Sequence, residues 1–308
     1  MPTGYRLRLA DGQKWLILST NTTKVFVDKF ASILGIEPAN LAESSNLPKL
    51  IFISEGLNKS ESNKLAQIID PEIRLSFPND GWHLNTIGKA NKILHFWYHN
   101  DVADVIYDIS SEDARVPNIS VMHHALYSLH RQTLYKGGLP IHSALIELDG
   151  VGVILPAKGG TGKSTCCNRV PPHWNALCDD EVLIVCNEHG RYMAHPLPTW
   201  SNYFLKDFSR TFDVQKSVPL KAIFFLEQSL TDEAIRISQG RSALLISGFS
   251  APICKQAWRG FPDRDILQIK EKLLNNVIKL AKTIPAWTLQ FSLTGKFWEA
   301  IEKAIENV

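Results

Sequence analysis

Residues 157–164 read AKGGTGKS. An apolar, strand-like run, Val151 to Leu155, leads into them, and Lys163 to Val170 reads as a helix stopped by Pro171 and Pro172. A strand, a glycine-rich turn and a helix in that order let backbone amides converge on phosphate oxygens, because glycine brings no Cβ into the space. Ala157 stands where the pattern usually has its first glycine, and Lys158, Gly159, Gly160, Thr161 and Gly162 complete the turn. Lys163 can reach the outer phosphates of a nucleotide, and the Ser164 hydroxyl suits Mg²⁺. The plainer alternative is a glycine-rich turn that carries a surface lysine.

The strand before the turn has an unusual partner. Ser143 to Leu148 is a second strand-like run, and Asp149-Gly150 joins it to Val151. A DG pair between apolar runs predicts a tight hairpin. The loop is then fed by antiparallel strands, which sets it apart from ordinary parallel-sheet nucleotide-binding domains. Two acids, Asp179 and Asp180, follow 16 and 17 residues beyond Lys163 and precede the strand-like Val182 to Val185. Phosphoryl transfer needs oxygen ligands for Mg²⁺ and a carboxylate for the nucleophile, and adjacent acids can split those tasks. They also suit a solvated turn. His142, just before the hairpin, is a third candidate, although a lone histidine is commonly structural.

The rest of the chain bounds the answer. Its 308 residues suggest about two domains. With 44% hydrophobic and 21% charged residues it can build packed cores, which excludes a disordered chain. A net charge of +2 gives no support for a nucleic-acid or anionic-membrane binder. No apolar run is long enough to span a bilayer, and the N-terminus lacks a signal-peptide pattern. Five cysteines without a C-x-x-C pair argue against a disulfide or zinc framework, so a cytoplasmic location is expected. Strands are expected at Tyr5 to Leu9, Leu50 to Ile53, Lys92 to Tyr98, Val102 to Ile109 and Lys221 to Leu226. Helices are expected at Thr22 to Leu34, Ile119 to Tyr135, Arg264 to Ile284 and Thr294 to Ile305. The expected division is an α+β domain over 1–115, serving substrate recognition, and the loop-bearing domain over 116–308.

H-x-A before the DG hairpin, then G-x-G-K-S-T, then D-D, resembles the catalytic domain of the HPr kinase/phosphorylase family over roughly Gly138 to Val185. GGLPIHSAL, GGTGKSTCCNR, LCDDE, HPLPTWS and FFLEQS are similar to blocks of the HPr-kinase-like family of the SynChlorMet peptide-maturation cassette. The resemblance implies an α/β fold: a PEP-carboxykinase-like P-loop domain with a mixed, partly antiparallel sheet. It implies ATP and Mg²⁺, and transfer of the γ-phosphoryl group to a Ser or Thr hydroxyl of a peptide or small protein such as a ribosomal peptide precursor. By position, Asp179 is the implied general base, His142 its support and Asp180 a metal-associated acid. Lys163, Ser164 and Thr165 hold the phosphates and Mg²⁺.

One departure stands out. His195 to Asn202, HPLPTWSN, carries no carboxylate where HPr kinase/phosphorylase has a further acid. This speaks against the reverse, phosphorolytic reaction and against HPr as substrate. It leaves Glu181, Glu188 and Glu227 as candidate second metal ligands, and Arg191, Arg210, Arg241 and Arg259 as candidates to stabilise transferred charge. In HPLPTWS itself, Trp200 and Ser201 either face a substrate or belong to a rigid packed loop. Two other functions stay open: a nucleotide-binding regulator of a maturation complex, and a kinase of free serine.

Overall fold

The computed structural model describes residues 4–40, 47–69, 78–89, 92–200, 203, 213–255 and 261–306. Arg210, Arg259 and Ser201 lie outside the described residues. The chain is α/β with two mixed sheets and divides into two units. One takes residues 1–128, 200–215 and 256–262; the other takes 129–199, 216–255 and 263–308. The division thus falls after Ser128 rather than after residue 115, and two later segments return to the first unit. Contacts between residues remote in sequence decide such membership, and composition does not register them.

The first unit is built on six strands: β1 (Gly4–Arg8), β2 (Lys14–Ser19), β3 (Lys49–Ile53), β4 (His83–Lys89), β5 (Lys92–Tyr98) and β6 (Val105–Asp108). Their order is β1-β2-β3-β6-β5-β4, parallel at β2–β3 and β3–β6 and antiparallel elsewhere. β3 is central and buried along its whole length, so it reads as an uninterrupted apolar run rather than an alternating one. Its one lysine, Lys49, is buried with Asp104, whose carboxylate accepts from the Lys49 amide at 2.8 Å. Helix α1 (Lys24–Leu34) buries Phe26, Val27, Phe30, Ala31 and Leu34 at helical spacing and ends at Gly35, in the left-handed region at φ 66°. Three short helices follow: α2 (Leu65–Ile68), α3 (Ser111–Arg115) and α4 (Ile119–Ala125). The expected helix over Ile119 to Tyr135 is two helices, because the Leu126 amide turns back to His123 O at 3.2 Å.

The second unit takes all but the first two residues of α5 (Tyr127–Tyr135) and continues through β7 (Leu139–Leu148), β8 (Val151–Pro156), α6 (Lys163–Arg169), β9 (Asn175–Cys178), β10 (Glu181–Cys186) and β11 (Tyr192–Pro196). Then come β12 (Val218–Gln228), β13 (Glu233–Arg236), α7 (Gln239–Lys255), α8 (Asp263–Thr283), β14 (Ala286–Phe291) and α9 (Phe297–Ile305). The sheet order is β11-β10-β7-β8-β12-β14-β13, with β9 also on β7; β11 pairs with β12 as well, which closes the first five strands into a ring. β8, β12 and β14 are mutually parallel, and β13 is an antiparallel edge.

Both faces of this sheet are covered. Cys166 and Cys167 of α6 and Phe297 and Ile301 of α9 pack with Leu155, Phe224 and Trp287 in one core cluster. Phe249 of α7 stacks on Phe225 from the alternate side of β12. Ser250 of α7 donates to Pro140 O at 2.7 Å, and Asn276 of α8 donates to the carbonyls of Leu134 and Gly138. These side chains tie the helical layer to the entry of β7. Among the described residues no helix is long and apolar enough to cross a membrane.

Candidate functional site

The expected hairpin is present. Asp149 at φ 50° and Gly150 at φ 81° form the two-residue turn, and the register pairs Ser143 with Pro156. β8 therefore releases the chain into residues 157–162 opposite Ser143. On the other edge of β7, Cys178 pairs with Leu145 and Glu181 with His142. One register holds across the gap between those two pairs, so Asp179 and Asp180 stand opposite Ala144 and Ser143. The Ser143 amide donates to Asp180 O at 3.0 Å. The start of the glycine loop, Ser143 and Asp180 thus share one row of the sheet. Adjacent strands are about 4.8 Å apart, so the loop and the acids are only two strand spacings apart.

The loop is positioned by few contacts. Gly160 and Gly162 take φ 78° and 119°. A Cβ on Gly162 would come within 3.0 Å of the Phe291 ring, so backbone angle and space both require glycine there. Gly159 and Gly160 have no atom within 4 Å of a would-be Cβ, which leaves that face of the loop open. Ala157 is buried and its φ is not positive, so glycine is not needed at the first position. Gln228 donates to Thr161 O at 3.0 Å and ties the loop to the end of β12.

The charged groups converge beside it. Lys163 is 7% exposed; its Nζ donates to Ala157 O at 2.9 Å and contacts His142 Nε2 at 2.9 Å. His142 Nδ1 lies 3.3 Å from Asp180 Oδ1. An ammonium only donates, so Nε2 accepts and the imidazole proton sits on Nδ1, facing the carboxylate. Burial holds the Lys163 pKa below the ordinary lysine value, while the negative charges of Asp180 and Asp179 oppose that shift. Thr199 Oγ1 donates to Asp179 Oδ1. Ser164 and Thr165, in the first turn of α6, are exposed.

The structure thus brings together His142, Lys163, Asp179, Asp180 and the loop 157–162. It places His142 on Asp180 rather than on Asp179, and gives Asp179 a different neighbour, Thr199. Sequence reasoning missed Thr199. Only the sheet register reveals it: the β10–β11 hairpin pairs Val182 with Pro196, the Leu197 amide donates to Glu181 O, and the same register carried outward sets Thr199 opposite Asp179. HPLPTW is buried throughout: His195 and Pro196 end β11, and Trp200 stacks on His123 at 5.5 Å between ring centroids. Glu181 is turned away, its Oε1 2.7 Å from His130 Nε2 with both side chains buried. Glu188 is on the surface, and Glu227 is exposed beside Gln228. Arg191 is exposed at the far end of β10, a six-residue strand of about 20 Å, from the acids. Arg241 is exposed in the first turn of α7.

Chemically, the site offers a glycine-rich turn with free space beside Gly159 and Gly160, one buried ammonium and two partly exposed carboxylates, a set suited to an anion accompanied by a hard cation. Among the described residues no group of three His, Cys, Asp or Glu side chains could hold a metal unaided. The oxygens of Ser164 and Asp180 could serve a Mg²⁺ that takes its other ligands from phosphate and water. A separate groove of about 770 Å³ lies between β13, β14 and α9, lined by Asp232, Arg236, Trp287, Lys296 and Lys303 among others, and includes none of these groups. No curated protein matches the chain. The sequence model of the family described as SynChlorMet cassette protein ScmC matches residues 105–306, which cover the hairpin, the loop, the acid pair and Thr199; over about two thirds of its length, the chain belongs to the ScmC family.

Proposed function

We propose that this protein is an ATP- and Mg²⁺-dependent kinase that transfers the γ-phosphoryl group to a Ser or Thr hydroxyl of a peptide or small protein, in the manner of HPr-kinase-like P-loop enzymes. The observation that carries the reading is the contact chain Lys163–His142–Asp180 beside an open glycine loop. A lysine 7% exposed, pointed at loop carbonyls and held near two acids, is a phosphate-seeking cation in a place that costs free energy unless a ligand uses it. The family description names a cassette, and a peptide made in the same cassette is the proposed acceptor.

In this reading the amides of Gly159, Gly160, Gly162 and Lys163 hold the β- and γ-phosphates, the Thr161 amide being bonded to Lys158 O, and the Lys163 ammonium neutralises them. The donor set fits Mg²⁺, with Ser164 and Asp180 as hard oxygen ligands; the ion would supply further charge compensation. Asp179 takes the proton of the acceptor hydroxyl. The hydroxyl oxygen bonds to the γ-phosphorus as the bond to the β–γ bridging oxygen breaks, and ADP leaves. Thr199 fixes the carboxylate of Asp179 toward that proton, and His142 holds Asp180 and Lys163 in register. The test is intact-mass spectrometry of cassette peptides incubated with the protein, ATP and Mg²⁺, where a gain of one phosphate is expected. Tight ATP binding with no phosphate gained by any peptide or by serine would favour a regulator instead.

A further inference from the structure

β8, β12 and β14 run parallel, and their carboxyl ends emit the glycine loop, residues 229–232 and residues 292–296. Ligands of open α/β sheets bind outside such ends. Two leucines stand in the second and third of these loops: Leu230 is 98% exposed and Leu293 is 78% exposed. Leu293 is not exposed through laxity. The Ser292 amide donates to Asp232 Oδ1 at 2.6 Å, Arg169 donates to Ser292 O at 2.8 Å and also to Gly295 O, and the Gly295 amide donates to Ser292 Oγ at 2.8 Å. A Cβ on Gly295 would overlap the Asp232 carboxylate, so the backbone of this loop packs directly against that side chain. Leu230 follows Ser229, whose amide donates to Phe291 O at 2.9 Å. An apolar side chain held out of the protein by this many bonds is available to a ligand.

The direction of α6 says which ligand. Thr165 and Arg169 are four residues apart and share a helix face, and Arg169 is bonded to the 292–295 loop. A Cβ at Gly162 would lie 4.0 Å from Thr165 Cβ and 3.0 Å from the Phe291 ring, so the start of the helix also faces the end of β14. With its terminal phosphate at Lys163 and the acids, a triphosphate laid along this face would extend past Thr165 toward the 292–295 loop that carries Leu293. We infer that Leu230 and Leu293 form the platform for the heteroaromatic base of the nucleotide, gripping it by apolar contact. This rests on the phosphate-site reading above and adds the nucleoside half of the site.

The test compares two probes, ATP-Mg²⁺ and inorganic tripolyphosphate with Mg²⁺, by calorimetry on the full chain and on L230S/L293S. Both leucines are on the surface, so the variant keeps its fold. ATP affinity is expected to fall roughly ten-fold while tripolyphosphate affinity stays level, because only ATP carries a base to lose apolar contact. An unchanged ATP affinity, or an equal fall for both probes, overturns the platform. Wild-type protein that binds neither probe overturns the phosphate site itself and the platform with it.

Discussion

Lys163 Nζ lies 2.9 Å from His142 Nε2, and the other imidazole nitrogen faces Asp180. One residue therefore separates the cation from the acid and fixes both. Without it the ammonium and carboxylate would be free to pair directly, and neither would be held for a ligand. His142→Ala is expected to lower turnover about 10- to 100-fold through lost positioning, with nucleotide affinity changed only a few-fold. Steady-state kinetics and a nucleotide titration on the same preparation check this. A loss confined to affinity would contradict it.

The two acids are expected to separate by role. Asp179→Asn keeps nucleotide affinity and loses transfer by about 10²-fold or more, as removal of a general base does. Thr199→Val removes the hydroxyl that orients Asp179 and costs about ten-fold in kcat, while Thr199→Ser restores most of it because the donor is back. Transfer by Asp179→Asn at the wild-type rate would move the base elsewhere.

Two glycines of one loop should answer differently. Gly162→Ala meets a positive φ and the Phe291 ring, so it is expected to cost about 1–3 kcal/mol and to lower the melting temperature by several degrees. Gly159 has an ordinary φ and open space, so Gly159→Ala leaves the melting temperature unchanged. Its new Cβ enters the face proposed for the phosphates and weakens ATP binding. Thermal unfolding paired with calorimetry reads both effects. Equal behaviour of the two variants would contradict the account.

Alkaline pH is expected to destabilise the fold. Burial pushes the Cys166 and Cys254 thiols up to about 12, and Cys178 well above its ordinary value of 9.0. The unfolded chain then loses these protons first. The stability they contribute is intact below about pH 9 and is lost as pH rises from there. Burial lowers the Lys163 pKa, which works in the opposite sense: the cost of its buried charge relaxes as pH rises in the alkaline range. One amine against three thiols leaves a net decline. Urea midpoints between pH 8 and pH 11 should fall, and Cys254→Ala should flatten the curve. A level profile in the wild type would refute the burial of these thiols.

Chain-local signals fixed a good deal in advance. Asp149-Gly150 declared the hairpin, because few other pairs tolerate two consecutive positive φ angles. The glycine run followed by Lys163 and Ser164 set the loop and the helix after it, and the apolar run Ala222 to Leu226, within the strand expected at Lys221 to Leu226, marked β12 as buried on both faces. The last two helices showed through their apolar stripes. α7 did not: Gly240, Gly248 and Pro252 blur its helical pattern, and its buried face is mostly small, with Ser242, Ser250 and Cys254. What only tertiary structure decided was pairing. That Asp180 shares a row with Ser143 and Pro156, that Thr199 stands opposite Asp179, that His142 serves Asp180, and that residues 200–215 rejoin the first unit all depend on strand register and chain return over tens of residues. Turn chemistry and periodicity act within a few residues, so a sequence can display the parts of a site while the sheet that sets them side by side settles which part touches which.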